Sequence, residues 1–392
     1  MAGHFPVLDG VRGLAILLVL LHNFNLGGPI DTALTKVVDV GLEIGWVGVQ
    51  LFFVLSGFLI TGILVDTKAA PNYYSSFYGR RVLRIFPLYY LVLIMYFVVV
   101  PRVVDVPASV RPGQQHQVWL WTYLSNWNVP LGRDLPGFSH FWSLAVEEQF
   151  YLVWPLVVRA LNAQALLRLC LGLTGAALVL RTGLGLAGAD PGFNYQFTLC
   201  RMDGLAIGAV VALALRDPDL LRTLRPHLRR AGWALALVML ALVVATRGLP
   251  SLGFWTQTVG YTALALLCAL LIGQAALATA AGRRMPIVTL LTARPLRTLG
   301  KYSYGIYVFQ RPLHVWAVSA LGPWLVPEAG LHRLPLLAAY LLAATAVTFA
   351  AALLSYHLVE EPFLRLKRLF TPQAPAGLPS LPTVSAAIPP PP

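Results

Sequence analysis

The sequence contains little charge. Only 11% of its 392 residues are Asp, Glu, Lys or Arg, whereas 57% are hydrophobic, and the mean hydropathy is +0.70. A soluble globular protein carries charge on about a quarter of its residues. This chain therefore cannot cover a surface that faces water on all sides. The shortage excludes a soluble fold and predicts an all-α polytopic membrane protein.

Cysteine is also scarce. Three residues, Cys170, Cys200 and Cys268, lie singly in apolar runs. None has the spacing of a metal-ligand motif, so we interpret all three as packing residues and expect no metal site and no permanently bound cofactor. The sequence also lacks the internal repeat that marks many secondary transporters.

Apolar windows that are long enough to cross a bilayer predict about ten transmembrane helices. The first window starts near an acidic residue, Asp9, and no small-residue cleavage site follows it. We therefore expect a retained helix rather than a signal peptide. The windows lie near residues 8–27, 44–65, 83–101, 140–158, 165–188, 198–215, 231–249, 254–274, 302–322 and 334–356.

The formal net charge of +13 would suit a nucleic-acid partner, but the positions of the basic residues indicate otherwise. With the N-terminus inside, nineteen of the 29 Lys and Arg residues fall in the inner loops and the C-terminal tail. Seven fall in outer loops, among them Arg181 and Arg333. This asymmetry is the positive-inside pattern of membrane proteins. It places both termini in the cytoplasm and predicts the lipid bilayer, not nucleic acid, as a partner.

We divide the chain into one transmembrane domain, residues 1–370, and a Pro-rich tail, residues 371–392. The tail has too little apolar surface to fold and is predicted to be a disordered cytoplasmic extension. The longest outer loop, about 102–139, is rich in aromatic residues, which form either an interfacial belt or a stacking surface for a ring-shaped acceptor. They are Trp119, Trp121, Tyr123 and Trp127.

Two adjacent carboxylates, Glu147 and Glu148, lie inside an otherwise lipid-soluble segment. An ionised group at membrane depth costs at least a few kcal/mol, so it is usually held by a partner or a watery cavity and has a function. The alternative is a helix end in the headgroup zone. Ser143, Glu147 and Tyr151 share one helical face at four-residue spacing, so neighbours can hold the first carboxylate.

Further polar segments interrupt the spans in a fixed order. They are Leu8-Asp-Gly-Val-Arg-Gly13, Gly48-Val-Gln-Leu-Phe-Phe-Val-Leu-Ser-Gly-Phe58, Tyr78-Gly-Arg-Arg-Val-Leu-Arg-Ile-Phe-Pro-Leu-Tyr89, the Glu147 segment, Cys200-Arg-Met-Asp-Gly204 and Leu299-Gly-Lys-Tyr-Ser-Tyr-Gly-Ile-Tyr-Val-Phe-Gln-Arg-Pro312. Together, in this order, they resemble the membrane-bound acyltransferase family 3, whose members O-acylate surface carbohydrates and some natural products. The likeness extends from Leu8 to about Phe363.

The resemblance implies an integral protein of the cytoplasmic membrane of a bacterium. It implies transfer of an acyl group, usually acetyl, from cytoplasmic acyl-CoA as co-substrate. The expected acceptor is a hydroxyl of an extracytoplasmic glycan or glycosylated small molecule. Because the chain stops at a short tail, we expect it either to act alone or to hand the acyl group to a separate protein.

Arginines crowd the inner end of the third predicted helix. Arg80, Arg81 and Arg84 are either positive-inside anchors or ligands of the CoA phosphates. The spacing of Arg81 and Arg84 puts two guanidinium groups on one helical face, which suits a phosphate donor, and the family's paired-arginine motif aligns here. We add Arg12 and Tyr302 to the predicted acyl-CoA side.

His22 is the predicted general base, because an imidazole near neutrality can take the proton of an attacking hydroxyl. The alternative is a buried neutral histidine that bonds a neighbouring helix. The family pattern has ten residues between a basic residue and this histidine, but Arg12 and His22 have nine, and Asn23 occupies the expected position. Ten steps turn a helix to a face about 80° away. Glu147, the position that the family pattern marks, is predicted to orient His22 or to bind the acceptor.

Four residues are assigned to the acceptor side: Glu148, Arg201, Asp203 and Gln310. Arg201 and Asp203 form either a local ion pair or polar groups for the acceptor. Gln310 stands where the family often has His, which removes a titratable group.

We predict direct transfer through a ternary complex, because no cysteine or serine is recognisable as a nucleophile beside a base. Ser56, next to Gly57, is interpreted as a residue of close helix packing. Two other function classes compete with the enzyme. One is a transporter or flippase, since charge inside the membrane also marks solute paths. The other is a non-catalytic membrane protein that only binds and presents an acyl donor.

Overall fold

The computed structural model describes residues 6–103, 115–128, 131–132, 135–283, 285–325 and 333–373. Helices make up 85% of it, and the described residues include no β-strand. The predicted all-α class is confirmed.

The long helices follow one another along the chain, and a long connection separates the fourth from the fifth. In chain order they are α1 (Pro6–Asn23), α2 (Ala33–Glu43), α3 (Val47–Asp66), α4 (Tyr73–Ile94), α5 (Trp142–Ala160), α6 (Ala163–Leu186), α7 (Thr198–Ala214), α8 (Pro218–Ala245), α9 (Tyr261–Ala280), α10 (Arg294–Leu325) and α11 (Arg333–Ser355). Shorter helical segments are Ile44–Trp46, Met95–Val99, Val100–Val103, Val118–Trp121, Ser125–Trp127, Ser139–Phe141, Pro191–Gln196, Thr256–Gly260, Pro286–Leu291, Tyr356–Glu360, Glu361–Arg365 and Leu366–Phe370.

Eight helical stretches within the described residues are long and apolar enough to cross a membrane. They are Pro6–Asn23, Ala33–Asp66, Tyr73–Val103, Ala163–Leu186, Pro191–Ala214, Pro218–Ala245, Thr256–Ala280 and Arg333–Phe370. The other two predicted spans overlap α5 and α10, which carry the Glu147 and Lys301 segments and are more polar. The polytopic membrane architecture is therefore confirmed, whereas the count of ten and the sides of the termini stay predictions.

Local sequence signals explain where several helices begin. The Asn162 side chain caps α6 by accepting a hydrogen bond from Ala165 N at 2.9 Å. Asp217 caps α8 in the same way, with Asp219 N and Leu220 N as donors, and Pro218 occupies the first helical position. These side chains satisfy backbone N–H groups that have no partner within the helix.

Small residues bring the central helices α3 and α7 into close contact. A Cβ atom added at Gly57 would lie 1.9 Å from Leu205 O, and one added at Gly208 would lie 2.0 Å from Val54 O. Only glycine permits this approach, which is the usual means of packing helices in a membrane. The contact holds α3 in the middle of the bundle, where it borders the site described below.

Two arginines that the sequence analysis placed in outer loops are buried in ion pairs. Arg181, within α6, bonds Asp203 of α7 at 2.8 Å, and both side chains are fully buried. Arg333, at the start of α11, bonds Asp39 of α2. These two loop assignments are corrected. A buried charge needs a charged or hydrogen-bonding partner, and here each guanidinium has a carboxylate from another helix.

The aromatic side chains of the outer loop pack against the bundle where they are described. The Tyr123 ring stacks on Tyr89 at a centroid distance of 4.3 Å, and the Trp121 ring stacks on Tyr90 at 6.0 Å. The Trp127 ring meets Phe197 edge-on at 5.0 Å. These three rings join the described part of the loop to neighbouring helices.

The C-terminal segment folds back against the start of α4. Ser76 Oγ donates to Phe370 O at 2.8 Å, and Asn72 Nδ2 donates to Thr371 O at 2.9 Å. The first three residues of the predicted tail, 371–373, therefore belong to the packed body. The rest of that tail, from residue 374, lies outside the described residues.

We call the end of the bundle that holds Asp9, Arg80 and Gly300 the inner end, following the predicted topology. The opposite end holds His22 and Gln310 and is called the outer end.

Candidate active site

A cavity of about 270 Å³ opens between α1, α3, α4, α5, α10 and the C-terminal segment. It is the place where the charged groups predicted from separate parts of the sequence meet. One wall carries the arginines of α4, and another carries the carboxylates of α5.

Five cationic side chains line the inner part of the cavity: Arg12, Arg80, Arg81, Arg84 and Lys367. Arg12 bonds Asp9 at 2.9 Å. The other four have no ion-pair partner among the described residues. Such a concentration of unpaired positive charge in a partly dry site repels itself and favours a polyanion.

Arg81 connects this cationic wall to the carboxylates. Its guanidinium lies over the Tyr151 ring, 4.0 Å from the centroid, and its buried Nε has no hydrogen-bond partner. A guanidinium held over an aromatic face keeps its N–H groups in one plane and available to a ligand.

The acidic wall is a short hydrogen-bonded chain. Ser56 Oγ donates to Glu147 Oε1 at 2.5 Å, and Tyr151 Oη donates to Ser56 Oγ at 2.9 Å. Glu148 also lines the cavity and has no hydrogen-bond partner among the described residues. Ser143, on the same face of α5, bonds Tyr307 Oη at 2.5 Å. The carboxylates therefore face a polar cavity and not the lipid, and the four-residue spacing on α5 produces this arrangement.

Ser56 and Lys367 were missed as site residues. Ser56 was interpreted as a packing residue, and the expectation that no serine sits beside a base is wrong. Its partner lies 91 residues away in sequence, so no local pattern joins them. Lys367 looked like one more inner-end anchor, and only the fold-back of the C-terminal segment brings it to the cavity.

His22 does not line this cavity. It lies at the outer end of α1, where its Nδ1 is 3.7 Å from Glu43 Oε2. The helical geometry explains the difference, because ten steps from Arg12 lead to a face about 80° away. Asn23, eleven steps from Arg12, returns to the helical face of Arg12, and its Nδ2 donates to Gln310 Oε1 at 3.3 Å. The two positions at which this chain departs from the family pattern thus contact each other.

Arg201 and Asp203 also lie outside the cavity lining. Asp203 bonds Arg181 at 2.8 Å and accepts from Thr262 Oγ1 at 2.9 Å, so the alternative of an Arg201–Asp203 pair is wrong. Residues two apart on a helix point in different directions. The fully buried Arg201 donates instead to Gln50 Oε1 at 2.7 Å and lies over the Tyr261 ring.

Tyr302 is not among the residues that line the cavity either. Its ring packs edge-on against Tyr356 at 5.1 Å and Phe349 at 5.6 Å, on the side of α10 that faces α11. The next two residues, Ser303 and Tyr304, do line the cavity. Successive helical residues differ by about 100°, so only part of this polar segment can face the site.

The site residues lie in a part of the chain that matches a known protein family. The profile of a family described as an acyltransferase domain, acyltransferase family 3, matches residues 5–356. The chain belongs to this family. Its cavity arginines, the Ser56–Glu147 pair and α10 up to Tyr307 all fall within the matched region.

Curated relatives of this acyltransferase-domain chain include bacterial O-acetyltransferases. The peptidoglycan O-acetyltransferase OatA of Listeria monocytogenes is 28% identical over 378 residues, which cover 92% of this chain and 56% of the relative. The O-acetyltransferase OatA of Staphylococcus aureus is 25% identical, over 81% of this chain and 51% of the relative. The chain thus spans about half the length of these relatives. No solved structure matches it significantly.

Proposed function

We propose that this acyltransferase moves an acyl group, with acetyl as the first candidate, from acyl-CoA to a hydroxyl of a cell-envelope carbohydrate. The observation that carries the proposal is the cavity itself, where unpaired cations and a hydrogen-bonded carboxylate lie within one space. The membership in an acyltransferase family favours this function over a transporter.

The donor follows from the charge of the cationic wall. CoA carries a pyrophosphate and a 3′-phosphate, and guanidinium forks bind phosphate oxygens in a bidentate manner. Arg80, Arg81, Arg84 and Lys367 supply four unpaired cations at the inner end, where the predicted topology places the cytoplasm. The thioester end of the donor would then extend toward the Glu147 carboxylate.

Two groups are candidates for the base that takes a proton from the attacking hydroxyl. The sequence analysis proposed His22, with Glu147 in support. The geometry favours Glu147, because it lines the cavity and already accepts a hydrogen bond from a hydroxyl at 2.5 Å. A base must lie within hydrogen-bond reach of the proton that it removes. The role of His22 stays a prediction that a variant can test.

The acceptor proposal rests on the relatives. Both are O-acetyltransferases, and the one from Listeria is named for peptidoglycan, so we propose a glycan of the cell envelope and peptidoglycan as the first candidate. Of the predicted acceptor-side groups, Glu148 lines the cavity, whereas Arg201, Asp203 and Gln310 do not.

The decisive experiment supplies the purified protein in nanodiscs with labelled acetyl-CoA and soluble glycan fragments. Peptidoglycan fragments and an unrelated polysaccharide are compared, and ester-linked label on the glycan is measured. We expect ester formation that is lost in Glu147→Ala and retained in Arg368→Gln, a charge change at an exposed inner-end site outside the cavity. A protein that binds acetyl-CoA but forms no ester on any carbohydrate would contradict the proposal and favour a non-catalytic donor-presenting role.

A further inference from the structure

Resting on the proposed function, we infer that Ser56 is the nucleophile of a two-step reaction and carries the acyl group as an ester between the two half-reactions. The inference replaces the direct transfer expected from the sequence. The grounds are the direction of the Ser56 hydroxyl and the side chains around it.

The hydroxyl of Ser56 bonds another helix and not its own backbone. A serine or threonine inside a helix commonly donates to the carbonyl four residues earlier. Thr174, Thr182 and Thr279 do so here, with distances of 2.9 Å, 2.8 Å and 2.8 Å. Ser56 instead donates across the cavity wall to Glu147 of another helix at 2.5 Å. A hydroxyl paired with a carboxylate base is the arrangement of an activated nucleophile.

The surroundings connect this hydroxyl to the donor. Tyr151 Oη donates to Ser56 Oγ at 2.9 Å, and Arg81 lies over the Tyr151 ring. The nucleophile is therefore one side chain away from the cationic wall that we assign to the CoA phosphates.

Other candidate nucleophiles in the described lining have different partners. Ser143 bonds Tyr307 Oη, Ser303 donates to Gly300 O, and Ser76 donates to Phe370 O. None of these three hydroxyls bonds a carboxylate among the described residues. The cysteines of the chain do not line the cavity.

The two steps balance without a further reactant. In the first, Ser56 Oγ attacks the thioester carbonyl carbon while its proton passes to Glu147. The carbon–sulfur bond breaks, and the CoA thiolate leaves with the proton from Glu147. In the second step, the oxygen of the acceptor hydroxyl attacks the carbonyl carbon of the acyl-serine ester, and Glu147 takes the proton of that hydroxyl. Ser56 Oγ departs and recovers the proton, so the products are CoA–SH and the acylated acceptor.

The test is a single-turnover reaction of the full chain in nanodiscs with labelled acetyl-CoA and no acceptor. We expect release of one CoA per active protein, and an added acetyl group on the peptide that contains Ser56, which glycan fragments then discharge. In Ser56→Ala the burst and the label should disappear, and transfer should fall by at least about a thousandfold. Thr174→Val removes a helical hydroxyl far from the site and should retain both.

A second variant separates loss of the nucleophile from loss of folding. Ser56→Cys keeps a nucleophile of similar size, and its acyl group should be released by neutral hydroxylamine, as a thioester is, whereas the serine ester requires alkaline conditions. Glycan acetylation at an undiminished rate in Ser56→Ala would overturn the inference and leave the proposed function standing. Absence of any transfer and any CoA release by the unaltered protein would overturn the proposed function, and the inference with it.

Discussion

Replacement of the cavity arginines should weaken acyl-CoA binding without a change of acceptor preference. Arg81 and Arg84 both line the inner part of the cavity, and neither has an ion-pair partner among the described residues. The substitutions Arg81→Gln and Arg84→Gln remove the charges but keep hydrogen-bonding side chains. The membrane anchoring of the inner end should survive, because many other basic residues remain there.

The expected size of the effect follows from the contacts that would be lost. A hydrogen bond to a charged group contributes about 1.5–3 kcal/mol, and each 1.4 kcal/mol changes a dissociation constant about tenfold. One arginine should therefore raise the Kd of acetyl-CoA about 10- to 100-fold. In the double variant the Kd of acetyl-CoA should rise by somewhat less than the product of the two single effects. The two side chains share one ligand and are therefore not independent.

The measurement is equilibrium binding of labelled acetyl-CoA to protein in nanodiscs, at low and at high salt, since ions screen exposed charges more than buried ones. Dephospho-CoA, which lacks the 3′-phosphate, provides a double-mutant cycle. A variant that has lost the ligand of this phosphate should not distinguish the two compounds. Arg368→Gln is the matched control, because Arg368 is an exposed inner-end cation that does not line the cavity.

An unchanged Kd of acetyl-CoA in the double variant would contradict a role of the two arginines in donor binding. An equal loss of affinity in the control variant would contradict it as well. The first result would show that the cavity cations are only topological anchors. The second would show that the attraction is a general surface effect and not a site.

Three further predictions concern the carboxylate, the histidine and the helix packing. Glu147→Gln should keep its contact with Ser56 but lower turnover by about 10²–10⁴-fold, with acetyl-CoA binding within threefold of the parent; unchanged turnover would exclude Glu147 as base. His22→Ala should lower turnover less than tenfold, because His22 does not line the cavity, and complete loss of transfer would restore it as the base. Gly208→Ala should destabilise the protein by about 1–3 kcal/mol, read from thermal unfolding in detergent, because its Cβ would lie 2.0 Å from Val54 O. Gly175→Ala meets open space and should not lower the melting temperature, so equal effects would contradict the packing argument.

Much of the architecture is a direct consequence of composition. The apolar windows overlap helices of the structure because a backbone in lipid must satisfy its hydrogen bonds within each segment. The buried ion pairs could not be predicted from composition. Arg181 stands near the end of an apolar run and was assigned to a loop, but its partner Asp203 holds it inside the bundle.

The candidate site likewise combines features that the sequence predicts with contacts that only the fold produces. Local spacing was enough to predict that Arg81, Arg84 and Glu147 are site residues, and all three line the cavity. It was also enough to show that His22 leaves the face of Arg12. The Ser56 contact with Glu147 needed the packing of two helices that are distant in sequence.

Composition and the order of the polar motifs were sufficient to predict a helical membrane protein of an acyltransferase family. Hydrophobic runs and helical periodicity are local properties, so they can be read along the chain. The folded structure was needed to find which polar groups share a cavity, that Lys367 lines it, and that a serine faces a carboxylate there. Those contacts depend on helix rotation and close approach, which glycines at Gly57 and Gly208 permit but no single segment specifies.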